Sequence, residues 1–145
     1  MNKYVYLAGP ITDTTVEEAN EWRKRIRHSL STRGIIGISP LRCEPQEGNV
    51  YALTYEDIKF GTRDAIATKN CFDVDNCDMV LTYLPTLSPG TLLEMGYAFS
   101  QSKPNVVVTT LPGLVNHPLV QHMSGWIVPD FDHAIDIIEG MLGDY

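Results

Sequence analysis

Apolar positions along this chain fall into short unbroken runs, separated by stretches in which they recur every three or four residues. Residues 4–8 (YVYLA) are apolar throughout and end at Gly9 and Pro10, the pattern of a buried strand stopped at a tight corner. From Thr14 the period changes: Val16, Ala19, Trp22, Ile26 and Leu30 share one helical face, while Glu17, Glu18, Arg23, Lys24 and Arg27 fill the others. Thr14 and Glu17 stand in capping-box relation at the start of this helix, and Gly34 ends it. Residues 35–39 form the second strand, closed by Pro40. Residues 41–53 have no sustained period and read as a long loop, of a kind that often lines a site. Between Tyr55 and Asn76 the pattern is helical, interrupted near Gly61 and resuming around residues 66–74.

Residues 79–84 are the third strand. Ser88 then supplies an N-cap and Pro89 a first helical residue whose missing N–H is harmless, predicting a helix to about Gln101. NVVVTT, residues 105–110, is the most strand-like segment; a short helix over 117–123, a strand over 126–128 and an amphipathic helix over 131–141 follow. Strands alternating with helices imply parallel strands joined by right-handed crossovers. The expected fold is α/β: a doubly wound, mainly parallel five-stranded sheet with helices on both faces, of the Rossmann/flavodoxin-like kind. At 145 residues, without repeats or low-complexity segments, it is expected to be a single domain. Ligands of such sheets sit beyond the carboxyl ends of the strands, where Gly9-Pro10, Pro40 and the corner over residues 85–90 lie.

Charge narrows the partners. A formal charge of -7 disfavours a nucleic acid polymer, which is bound by neutralising phosphates with many Lys and Arg side chains. A small anion held by a few donors or a helix N-terminus stays open. No apolar run approaches the roughly 18 residues that span a bilayer, so no membrane partner is expected. The first residues run into a strand pattern, not a signal-peptide core, giving an expected cytoplasmic location. Cys43, Cys71 and Cys77 form no CxxC pair, and the four histidines have no metal-binding spacing; reduced, buried thiols, no metal and no cofactor are expected. Glycine-rich phosphate cradles and a GxSxG elbow are also absent.

The anomaly is Glu94, a carboxylate set among apolar neighbours in the second turn of the helix that starts at Pro89. One reading is an exposed Glu on a partly buried helix; the other is a functional carboxylate, for which Gly96 and Ala98 argue by favouring close packing. Tyr6 is either a core tyrosine or the group whose hydroxyl orients Glu94. Ser88 is a sufficient N-cap and, at a site-facing helix end, a donor to an anion.

The pieces YLAGP at 6–10, CDMVL at 77–81 and SPGTLLEMGYA at 88–98, in this order, resemble the nucleoside 2-deoxyribosyltransferase family, whose superfamily includes the 2'-deoxynucleoside 5'-monophosphate N-glycosidases. The resemblance covers residues 3 to about 128 and is most specific at the ExGxA motif of Glu94, Gly96 and Ala98. It implies that Glu94 is the nucleophile that attacks the anomeric carbon and forms a covalent glycosyl-enzyme intermediate, with Tyr6 positioning it. It also places Gly9, Pro10 and Gly90 at the substrate. The chemistry agrees: an oxocarbenium-like transition state calls for an ionised carboxylate at the anomeric carbon and a proton donor for the departing base.

Two positions depart from the family. Eight residues before Asp78 the family has an Asp, in an Arg-Asp pair, that protonates the leaving base; here the pair is Lys69-Asn70. An amide cannot act as a general acid, so Asp73, Asp75 or a water is left to substitute. Six residues before Glu94, where transferases of free nucleosides carry an Asp for the 5'-hydroxyl, stands Ser88, as in the monophosphate glycosidases. Arg42 is a candidate to add positive charge to a 5'-phosphate. The resemblance further implies a homo-oligomer whose sites are completed by a partner's segment around His122, Met123 and Ser124.

The expected activity is transfer of 2-deoxyribose between nucleobases through Glu94, with a small deoxynucleoside or deoxynucleotide and a free nucleobase as ligands. Hydrolysis of 2'-deoxynucleoside 5'-monophosphates is the alternative, and a non-catalytic nucleotide-binding module, suggested by Asn70, the third.

Overall fold

The computed structural model describes residues 1–42, 44, 46–51 and 63–144, with the backbone alone for 63 and 64. In chain order the elements are β1 (Lys3–Ala8), α1 (Val16–Ser31), β2 (Ile35–Ile38), β3 (Gln46–Glu47), β4 (Val50–Tyr51), α2 (Arg63–Asp75), β5 (Met79–Tyr83), α3 (Pro89–Ser100), β6 (Asn105–Val108), α4 (Pro112–Val115), α5 (Pro118–Met123), β7 (Trp126–Val128) and α6 (Phe131–Leu142). The helical start expected near Tyr55, the interruption near Gly61 and Cys43 lie outside the described residues. Cys77 is buried and Cys71 partly so, and both are free thiols.

Five strands form one sheet in the order β2-β1-β5-β6-β7, and every pairing in it is parallel. The α/β architecture therefore appears as expected. Both faces of the sheet are covered, so the strands are mostly apolar yet still alternate in what they touch, and the buried Thr82 hydroxyl of β5 is satisfied by donating to the Asn105 side-chain oxygen of β6 at 2.9 Å. Val5 and Leu7 of β1, Met79 and Leu81 of β5, and Val106 and Val108 of β6 pack against Trp22, Ile26 and Leu30 of α1 and Ala134, Ile135 and Ile138 of α6. Tyr6, Ala8 and Val80 point the other way, onto Val74 of α2 and Ala98 of α3. Leu84 and Val107 meet Met95 of α3 together with Leu114 and Val120. The chain reverses direction across the sheet between β1 and β5, and this switch point opens a crevice at their carboxyl ends.

Two local expectations change. The cap of α1 is Thr15, whose side chain accepts from the Glu18 amide at 3.0 Å. Thr14 instead turns its hydroxyl back to the Ile11 carbonyl at 2.6 Å. The N-cap is thus displaced by one residue, because Thr14 is recruited to the turn that leaves β1. Part of the expected long loop also folds, as the β3-β4 hairpin. It fastens the β1-α1 connection: the Asp13 amide donates to Tyr51, the Tyr51 amide to Thr14, and the Val16 amide to Asn49, at 3.1, 2.9 and 2.8 Å. Asp13 is held in the left-handed region at φ 62°, which Asp tolerates better than most residues.

Arg23 belongs to the buried face of α1, not to its polar one. Only 1% of it is exposed. Its guanidinium donates to the carbonyls of Ala19, Gly9 and Leu7 at 2.8, 3.0 and 3.2 Å, and lies 4.5 Å from the centre of the Trp22 ring. Gly9 permits this approach: a Cβ there would fall 2.6 Å from the Trp22 ring, which is itself packed between Phe131 and Tyr83.

Candidate active site

At the switch point lies a cavity of about 550 Å³, a size suited to a small organic ligand. Its walls come from three connections: Gly9, Pro10, Ile11, Thr12, Asp13 and Thr14 after β1, Glu44 after β2, and the corner from Thr86 to Gly90 after β5. Asn70 of α2, with Thr91 and Glu94 of α3, completes the lining.

Glu94 reaches this cavity because Ser88 and Pro89 start α3 beyond the carboxyl end of β5, the central strand. Ser88 caps the helix, with its hydroxyl 3.4 Å from the Thr91 amide and 2.8 Å from the Thr91 hydroxyl. The second turn then brings Glu94 over β1, where the Tyr6 hydroxyl donates to its Oε2 at 2.9 Å. This contact joins residues 88 positions apart in sequence. Tyr6 is fully buried, so the bond fixes the carboxylate from beneath while its other oxygen stays available to the cavity.

Burial pushes the Glu94 carboxyl up to about 7; the Tyr6 hydrogen bond and the charge of Arg23 pull it back, and the nearby Glu44 adds a repulsive contribution. Burial likewise drives the Tyr6 phenol well above its usual range, reinforced by the charge of Glu94, so it remains a donor. Arg23 is brought down to about 10 by burial and still carries its charge at neutral pH. Glu44 is also raised, again by burial, against the opposing charges of Lys69 and Arg23. A carboxylate poised near neutrality, aimed by a neutral phenol, is suited to nucleophilic or acid–base work.

The other sequence candidates separate into two groups. Gly9, Pro10, Asn70, Ser88 and Gly90 line the cavity with Glu94. The side-chain oxygen of Asn70 is buried with no hydrogen-bond partner among the described residues. Asp73 is not in the lining; it is 4% exposed and paired with Arg42 at 2.5 Å. Arg42 lines a neighbouring cavity with Asn20, Gln46 and Tyr51. Asp75 faces outward and accepts from the Tyr97 hydroxyl at 2.7 Å. Met123 and Ser124 border a different cavity, beside Phe99, Asn105 and His122. Among the described residues no cluster of His, Cys, Asp and Glu could hold a metal, and no helix is long and apolar enough to cross a membrane.

Three residues of this neighbourhood escaped the sequence reading. Arg23 was legible, since Ala19, Trp22, Arg23, Ile26 and Leu30 fall on one continuous helical stripe. Asp13 and Glu44 sit in irregular connections where no period marks a facing direction.

Comparison with known proteins places this geometry. No curated protein sequence matches the chain. Among solved structures, a 2-deoxyribosyltransferase from Bacillus psychrosaccharolyticus superposes with a TM-score of 0.66 at 15% identity, covering 92% of this chain and 90% of that one. A CMP N-glycosidase from Clostridium botulinum gives 0.58 at 16% identity, over 94% and 98%. A molybdenum cofactor binding protein from Rippkaea orientalis gives 0.65 at 12% identity, over 98% of each. Likeness at these identities shows a shared fold, and the fold by itself serves both catalysis and binding. The sequence is more specific: the model of the nucleoside 2-deoxyribosyltransferase family matches residues 5–138, which include the paired Tyr6 and Glu94 and nearly the whole chain, and the protein belongs to that family.

Proposed function

We propose that this protein transfers 2-deoxyribose between nucleobases, with Glu94 attacking the anomeric carbon and holding the sugar as a covalent ester until a second base displaces it. The observation that carries this reading is the 2.9 Å bond from the buried Tyr6 hydroxyl to Glu94 within the cavity at the strand ends. It leaves one carboxylate oxygen free to meet an electron-poor carbon and holds the other still, the arrangement needed by a glycosyl nucleophile. The remaining donors and acceptors around the cavity, Ser88, Asn70 and the backbone at Gly9 and Gly90, are of the size and polarity to hold a sugar and a base. Met123 and Ser124, facing away from this chain's own cavity, are in this reading contributed to the site of a second subunit.

The lining also favours a free nucleoside over a 5'-monophosphate. Among its described residues are three carboxylates, Asp13, Glu44 and Glu94, and no Lys or Arg. A phosphate would find no cationic side chain in that described lining to balance its charge. The test is incubation of a deoxynucleoside with a different free base, followed by chromatography. The exchanged nucleoside should appear, with kcat/KM at least about tenfold below this for the corresponding 5'-monophosphate. Base release without exchange would sink the transferase reading. Hydrolysis of monophosphates is supported by Ser88 at the N-terminus of α3, a position able to donate to a phosphate; faster turnover of the monophosphate in the same assay would favour it.

Tyr6→Phe keeps the buried ring and deletes the bond to Glu94. Loss of a hydrogen bond to a charged group costs about 1.5–3 kcal/mol, so kcat should fall roughly 10- to 150-fold. The bond favours the ionised carboxylate, so its removal should raise the Glu94 pKa above about 7 and move the acidic limb of the pH–rate profile upward. An unmoved limb would remove Tyr6 from the mechanism.

A further inference from the structure

Deoxyribosyl transfer needs a group that gives a proton to the departing base, and position 70 presents an amide. We infer that Glu44 is that group: it protonates the leaving base and takes the proton back from the incoming one. The assignment rests on the deoxyribosyl-transfer reading above.

Glu44 lines the same cavity as Glu94 and Asn70. It is carried by the connection after β2, which is fastened to α2 from below. Lys69, 7% exposed, donates its ammonium to the Pro40 carbonyl and, at 3.1 Å, to the Arg42 carbonyl. The Glu44 amide closes a turn onto Leu41 at 3.2 Å. A residue on a long connection is thereby held against the helix that bears Asn70. The other carboxyl groups near the base side serve differently: Asp73 is buried against Arg42, Asp75 is bound by Tyr97, and Asp13 is exposed on the opposite connection. Glu44 is half-buried, and burial raises its pKa against the opposing charges of Lys69 and Arg23, the direction a proton donor needs.

Asn70, which lines the same cavity, adds a side-chain amide on the base side. A protonated Glu44 and that amide supply complementary hydrogen-bonding groups within one cavity, a pattern that meets a base edge carrying a ring nitrogen or carbonyl beside an N–H. In the first step a Glu94 oxygen bonds to the anomeric carbon, the bond from that carbon to the base breaks with its electron pair going to the base, and the Glu44 proton moves to the base. Glu44 is left as a carboxylate. In the second step the incoming base displaces Glu94 and loses its proton to Glu44, which restores the starting state.

The test compares two leaving groups. An ordinary deoxynucleoside releases its base with a proton, whereas 7-methyl-2'-deoxyguanosine carries a cationic base that departs without one. Glu44→Gln should lower kcat/KM on the ordinary substrate at least about 100-fold, and on the methylated substrate by less than about tenfold after subtraction of spontaneous loss. Returning a carboxyl from the other wall, in the double variant Glu44→Gln/Asn70→Asp, should recover at least about tenfold on the ordinary substrate. Equal losses on both substrates without recovery would make Glu44 structural and overturn the assignment. No loss on either, with an active parent protein, would remove Glu44 and leave the transfer reading intact. A parent protein that releases base from neither substrate overturns both.

Discussion

Glu94→Ala is expected to lose at least about 10⁴-fold in kcat while keeping its fold, because no other described carboxylate stands where the Tyr6 hydroxyl points. A bound sugar ester, seen as a mass increase on the peptide containing Glu94 in the parent protein, should vanish in the variant. Full activity in Glu94→Ala would show that the nucleophile is elsewhere. Stability should move in the opposite direction. The Glu94 carboxyl goes from an ordinary value of 4.5 to about 7 in the folded chain. Between these values the folded state binds more protons than the unfolded one, so this group's contribution to stability falls as pH rises through that window. Above about pH 7 the fold carries a charge only partly open to water, and Glu94→Gln should raise Tm there by about 2–4 °C, with a smaller gain at pH 5. Activity runs the other way: kcat should rise as pH increases through about 7, when the nucleophile ionises. A thermal melt at both pH values and a pH–rate profile check the two signs.

Arg23→Met should produce the largest loss of stability. It removes three donors from the carbonyls of Leu7, Ala19 and Gly9, all within the packed core beneath the site. Unpaired buried carbonyls cost about 1–3 kcal/mol each, offset by the desolvation that the guanidinium no longer suffers, for a net loss of about 3 kcal/mol. That corresponds to a fall in Tm of about 10 °C. The variant also loses a positive charge that favours ionised Glu94, so the acidic limb of the rate profile should move above about 7. Arg23→Lys retains the charge without the fork of donors. It should restore the limb more fully than the melting temperature, separating the electrostatic role from the structural one. An unchanged Tm in Arg23→Met would mean that desolvation cancels the three bonds.

Most of the frame is legible in the sequence. The strands of the main sheet follow from apolar runs with breakers at their ends, and α3 from Ser88, Pro89 and the period after them. These are local properties, each set by residues within a few positions of one another. The same locality explains the small failures. Spacing alone makes Thr14 a cap, but a neighbouring carbonyl at Ile11 competes for its hydroxyl, and the next residue takes the cap. The charge of Arg23 points to a polar face, although its position on the stripe of Trp22 and Ile26 turns it inward; two of the three carbonyls that make its burial tolerable, those of Leu7 and Gly9, lie outside its helix. Residues 46–51 lacked a strand period because a two-residue strand is too short to show one.

By itself the sequence determined the parallel α/β layout, the helix that carries Glu94 and membership of the nucleoside 2-deoxyribosyltransferase family, because these depend on residue order and period. Only the tertiary structure decided that Tyr6 meets Glu94 across 88 residues, that Arg23 sits beneath both, that Arg42 is engaged with Asp73, and that Glu44 and Asn70 border one cavity. Those relations depend on which loops the sheet order brings together at the strand ends, and on how burial shifts each charge once water is excluded. Neither is a property of any local stretch of chain.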